Sequence, residues 1–192
     1  RLRCDWSSDV CSSDLGYIFT KAIAAGILAF PFLFHQTGWV TVPDSVQWMS
    51  AILSLVFLGL TGVLLIKDLD QPKRFIYVLL RPHWTSWLVK GGYTITAFGG
   101  LVTLWGVLKY FELSGLADLL IWPILMLSVL LAVYTAFLFG QAKGRDFWQS
   151  PLLSLHMLLH SVVGGAAALL LISTFWSDLL PLISALKIIL FW

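Results

Sequence analysis

Long apolar runs separated by short polar connectors set the plan of this 192-residue chain. The windows Gly16 to His35, Trp48 to Ile66, Trp84 to Leu108, Leu119 to Gly140 and Leu152 to Phe175 each supply the ~20 apolar residues that a membrane-crossing helix needs. They exceed strand length and lack period-two alternation, and a spanning segment must satisfy its backbone hydrogen bonds internally, so each is predicted to be helical. A further run begins at Leu179 and reaches Trp192, roughly two-thirds of a span. The expected fold is therefore all-α: a polytopic transmembrane helix bundle with five complete helices and part of a sixth, on which reading the chain is a fragment. Ala22 and Gly26, and likewise Ser161 and Gly165, stand four apart and predict close helix approach. Pro31 and Pro123 fall inside spans, where each removes a backbone donor.

Composition agrees with that plan. Hydrophobic residues make up 59% and charged residues 11%, far outside the range of a soluble domain. A net charge of +2, with the basic residues gathered in connectors and not in a tract, excludes nucleic acid as the expected partner. Lys21, Lys67, Lys73, Arg74, Arg81, Lys90, Lys143 and Arg145 fall at one membrane face, with Lys109 at the other, and the positive-inside rule makes the crowded face cytoplasmic.

The first fifteen residues differ in character from everything after them. Asp5 to Leu15 reads as the translation of a common sequencing-library adapter, so residues 1–15 are expected to be an artefact and are set aside. Cys4 and Cys11 lie there, and the remainder has no cysteine with which to hold an iron–sulphur cluster. Any such cluster would have to belong to another subunit.

Two connectors carry the candidate chemistry. The segment from Asp68 to Tyr93, DLDQPKRFIYVLLRPHWTSWLVKGGY, places Asp68, Asp70, Lys73, Arg74 and Arg81 among aromatics and prolines at the mouth of the bundle. It resembles the pattern Asp-Leu-Gly-Arg-Pro-x-Arg-Phe followed by Arg-Pro-x-x-x-Ser-Trp of the NrfD/polysulphide-reductase membrane-subunit family. The segment from Tyr134 to Leu155, YTAFLFGQAKGRDFWQSPLLSL, is similar to the same family's second signature, Tyr-Thr-Gly through Lys-Ala-Arg-x-Phe-Trp-x-Ser-Pro-Leu-Leu. The resemblance covers Gly16 to Trp192. GYIFTKAIAAG matches the family's first helix more loosely, with Lys21 where a small or apolar residue is expected.

That resemblance implies an eight-helix protein in two bundles, with residues 16–140 forming the first and 141–192 a loop and the truncated start of the second. It implies exchange of electrons with the quinone pool, menaquinone or ubiquinone, at a site in the first bundle. It further implies a partner 4Fe-4S ferredoxin-like subunit, a molybdopterin oxidoreductase as the catalytic subunit, no haem, and a bacterial-type inner (plasma) membrane location. Several family complexes carry the iron–sulphur subunit on the periplasmic side, whereas the charge count makes the signature face cytoplasmic.

Residue chemistry supports a quinone site less specifically. A quinone needs an apolar slot with one or two donors to its carbonyls, and the Tyr134 hydroxyl is the first choice; the alternative is a core tyrosine with a satisfied hydroxyl. Asp68 and Asp70 could supply protons or bind Arg74. Lys21 and Lys90 stand just inside helix ends, where long stems commonly snorkel to the interface, with quinone contact as the other reading.

His156 and His160, four apart on one helix face, could be metal ligands, a proton relay or a polar pair facing the bundle interior. They cannot both be axial ligands of one haem, and no metal site is expected. Lys143, Arg145, Phe147 and Trp148, with Arg74 and Arg81, are candidates for docking the iron–sulphur subunit, since Arg and aromatic residues are enriched at interface centres. An aromatic belt contacting anionic lipid is the alternative. The expected function is a non-catalytic, quinone-reactive membrane subunit. The alternatives are a proton- or ion-translocating module using Asp68, His156 and His160, and a haem b anchor.

Overall fold

The computed structural model describes residues 12–68, 87–140 and 152–191. It is helical as predicted: α1 Ser12–Thr37, α2 Asp44–Asp68, α3 Trp87–Tyr110, α4 Ser114–Gly140, α5 Leu152–Ser173, a 3-10 turn Ser177–Leu179 and α6 Leu180–Phe191. Five of these helices are long and apolar enough to cross a membrane. Each begins or ends within a few residues of the predicted window, because the polar connectors mark where apolar burial stops compensating for chain ordering. The helices run on through Pro31 and Pro123.

Packing is unequal among the spans. In α1, 78% of the spanning window is buried, against 28–33% in the other four, which makes α1 the central helix. It contacts α2, α4 and α5, while α3 packs mainly on α4.

The small residues explain how α1 meets α5. A Cβ on Gly26 would collide with the Ser161 carbonyl oxygen and with the Gly165 Cα at 2.7 Å, so only glycine allows the two backbones this close. Ser161 Oγ donates to the Ala22 carbonyl at 2.9 Å, using the lone pair that the helical hydrogen bond leaves free. The two four-residue spacings noted in the sequence thus meet each other. On the α2 side, Ser54 Oγ donates to the Ala24 carbonyl at 2.7 Å, and Thr61 Oγ1 to Thr20 Oγ1 at 3.0 Å. Phe32 and Trp105, both fully buried with ring centroids 4.8 Å apart, join α1 to α3, and Trp48 of α2 adds a third ring at 5.6 Å from Trp105.

The face opposite the basic connectors is tied by polar pairs. Lys109, in the last turn of α3, lies 3.0 Å from Asp44, in the first turn of α2, each complementing its own helix dipole. Gln47 Nε2 lies 3.2 Å from His35 Nδ1, and His35 Nε2 lies 3.7 Å from Asp118 Oδ1. These contacts give consecutive spans alternating directions, so α1, α3 and α5 start at the face where α2 and α4 end.

Candidate functional site between α1, α3 and α4

Three helix ends meet at the basic face: the start of α1, the start of α3 and the end of α4. Lys21 projects from α1 toward α4 and is 1% exposed. Its Nζ donates to Thr135 Oγ1 at 2.6 Å and to the Ala132 carbonyl at 3.4 Å. It also lies 4.5 Å from the centre of the Tyr134 ring and 5.9 Å from that of Tyr17, inside the range of an amino group resting on aromatic faces. The snorkelling expected of Lys21 is therefore corrected. α4 supplies a hydroxyl, a carbonyl and a ring face, and these substitute for water.

Tyr134 is buried, and its hydroxyl has no hydrogen-bond partner among the described residues. An orphaned buried hydroxyl costs about 1–3 kcal/mol, which a fold tolerates where a ligand or water completes the bond. The ring lies against Gly91 of α3: a Cβ there would stand 2.9 Å from Tyr134 Cδ2 and 3.2 Å from Cζ. Gly91 is thus a positioning residue, since a side chain there would collide with the Tyr134 ring.

The structure brings together Lys21 and Tyr134 from the expected quinone-binding set and adds Thr135 and Gly91, which the sequence reading did not single out. Both additions lie inside the two signature segments, Thr135 directly after Tyr134 and Gly91 near the end of the first, so the signal was present in the motif but not in residue type. Asp68 closes α2 at this face. Asp70, Arg74, Arg81, Lys143, Arg145, Phe147 and Trp148 lie outside the described residues.

His156 and His160 are not in this site, nor do they face the interior of the described helices. Both are exposed, with Nε2 atoms 2.9 Å apart, on a groove of about 820 Å³ between α1 and α5. Among the described residues, α5 turns Met157, Ser161 and Gly165 toward α1, and residues 156 and 160 stand one position off that face. Lys90 is half-buried at the start of α3.

Comparison with known protein families decides the family. Residues 14–181 match the family described as polysulphide reductase, NrfD. The chain belongs to the NrfD family. NrfD proteins are membrane subunits of oxidoreductase complexes, and the five apolar helices make this one a multi-pass membrane protein. The NrfD match spans both signature segments and all of α1 to α5 from Asp14 onward, so the Lys21–Tyr134 site lies within it. Among curated proteins, none matches the chain.

Proposed function

We propose that this NrfD-family chain exchanges electrons between the membrane quinone pool and an iron–sulphur subunit of its complex, in a bacterial inner (plasma) membrane. The observation that carries the reading is the buried Tyr134 hydroxyl, which has no hydrogen-bond partner among the described residues and whose ring lies under the buried Lys21 amino group. A quinone carbonyl is an acceptor without a donor of its own, and Tyr134 is a donor without an acceptor among the described residues. The complementarity is chemical, and the buried Tyr17 ring and Gly91 flank the pair.

A headgroup reaching Tyr134 is proposed to enter from the basic end, where α2 and α4 finish. There the Tyr134 hydroxyl donates to one carbonyl, and Lys21 offers a second donor from the same seam once it exchanges its bond to Thr135. Reduction of a quinone consumes electrons and protons together, and oxidation of the quinol releases them. Electrons pass to or from a 4Fe-4S cluster held by the partner subunit, and a molybdopterin enzyme beyond it carries out the terminal chemistry. Asp68 and Asp70, at and beyond the end of α2, belong in sequence to this end and are proposed to pass protons to water. No haem is required.

Quinol oxidation by the intact complex tests this. Tyr134→Phe removes the oxygen alone, and kcat/KM for quinol is expected to fall about tenfold, the worth of one good hydrogen bond. The same variant should melt no lower than the parent without quinone, since it deletes an unsatisfied polar atom. Unchanged turnover would refute the site. Lower stability with quinone removed would show that the hydroxyl serves the fold.

A further inference from the structure

We infer that the groove between α2 and α3, at the end opposite the basic connectors, holds one phospholipid whose headgroup carries a primary ammonium, of the phosphatidylethanolamine class. Trp48, Ile52 and Leu55 of α2 face Val102, Gly106 and Tyr110 of α3 across a groove of about 400 Å³. Trp48 lies against Gly106, where a Cβ would stand 3.4 Å from the indole, and the fully buried Trp105 ring backs it at 5.6 Å.

The groove is closed at both ends. Deeper in the membrane α2 and α3 meet, since a Cβ on Gly99 would stand 3.0 Å from Leu58 Cδ2. At the shallow end the Asp44–Lys109 pair bridges the same two helices at 3.0 Å. Asp44 stands one turn from Trp48 on α2, and Lys109 one turn from Gly106 on α3, so the charged pair continues the two faces that line the groove. From Asp44 to Leu55 the helix rises about 16 Å, and from Lys109 to Val102 about 10 Å, against about 15 Å for half of the hydrocarbon core. An acyl chain of one leaflet matches that length. A crossing helix, from a partner or a second copy, would need a groove about twice as long.

Charge selects the headgroup. The Asp44 side chain is 69% exposed, and among the described residues its carboxylate and the Lys109 amino group have only each other. A carboxylate accepts several hydrogen bonds and an ammonium donates three, so both retain capacity. Phosphate oxygens can take a second Lys109 hydrogen while the lipid ammonium donates to Asp44, and the exposed Tyr110 hydroxyl stands at the same rim. A glycerol headgroup would bring only negative charge beside Asp44, and a choline headgroup has no N–H to donate. The connectors outside the described residues, 69–86 and 141–151, join helices at the other end of the bundle. This site is independent of the quinone reading.

Native mass spectrometry of the full chain decides the matter, after delipidation in detergent and titration with phosphatidylethanolamine, phosphatidylcholine and phosphatidylglycerol of identical acyl chains. One phosphatidylethanolamine per chain is expected to bind about tenfold more tightly than either of the others, the contribution of one charge-assisted hydrogen bond. Asp44→Asn keeps a good capping residue at the start of α2, should melt close to the parent without lipid, and should bind phosphatidylethanolamine and phosphatidylcholine alike. Gly106→Leu fills the groove and should lose the tight site for all three lipids. The proposal is overturned if the parent binds the three lipids equally or if Asp44→Asn keeps the preference. It is overturned as well if the parent is a dimer that Gly106→Leu dissociates, since the occupant is then a second copy.

Discussion

An amino group placed inside a membrane span either reaches the interface or finds partners within the protein. Lys21 stands five residues into the span that begins at Gly16, roughly 7.5 Å of rise, within reach of the interface for a stretched side chain. It turns inward because Thr135, Ala132 and the Tyr134 ring together offer more than the headgroup layer does. Sequence gave depth and residue type, and both favoured snorkelling. Direction depended on what α4 presents, more than a hundred residues away, which no local pattern encodes. Tyr134 was legible because its motif fixes it near a helix end, whereas its hydroxyl's lack of a partner among the described residues is a property of the assembled helices. Gly91 offers a test that touches neither donor. Gly91→Val forces the Tyr134 ring to move, at an overpacking cost of about 1–3 kcal/mol. Quinol turnover should fall while KM rises, and the protein should still insert in the membrane. If kinetics match the parent, the ring position does not matter to the reaction.

Between helices, close approach outweighs individual hydrogen bonds. The α1–α5 seam combines the Gly26–Gly165 contact with the Ser161 to Ala22 bond, and the magnitudes rank them. An interhelical hydrogen bond in a membrane averages about 0.6 kcal/mol, so Ser161→Ala should shift the melting midpoint only slightly. Gly165→Leu puts a branched side chain against the α1 backbone, where no rotamer change can relieve it, and should cost at least the ~1–3 kcal/mol of ordinary overpacking. Thermal melts of the two variants side by side should show a clear loss for Gly165→Leu alone; equal shifts would mean the helices separate as easily as they bond. Helix number and boundaries were legible because a bilayer demands long apolar runs and little else interrupts them. The four-residue spacing announced a close contact without naming its partner. Which helix is central was hidden, since lipid and protein interior are equally apolar and leave α1 no more hydrophobic than its neighbours. The same ambiguity left open which neighbours His156 and His160 face; among the described residues they are exposed.

At the scale of the whole molecule, charge divides the protein into two unlike ends. The end with Asp44, Lys109, His35, Gln47 and Asp118 pairs its polar groups internally. The basic end carries Lys67, Lys73, Arg74, Arg81, Lys143 and Arg145 in or beside its connectors, and the quinone reading places electron exit there. On the proposed reading, an iron–sulphur partner would dock where its cluster comes near the quinone, and the basic rim would serve docking and the proximity of Tyr134 at once. Reversing charge at Arg145 separates docking from lipid contact, because an anionic bilayer and a protein respond differently. Arg145→Glu should reduce recovery of the iron–sulphur subunit with the membrane subunit, increasingly so at low ionic strength, where exposed charges are least screened. Membrane insertion should be unaltered, since other positive charges remain at that face. A small tag at Gly144 adds orientation: labelling in intact cells places the rim outside, and labelling only after lysis places it in the cytoplasm. Undiminished partner recovery in Arg145→Glu would leave that residue a lipid anchor, and the docking surface would then have to be sought at Arg74 and Arg81.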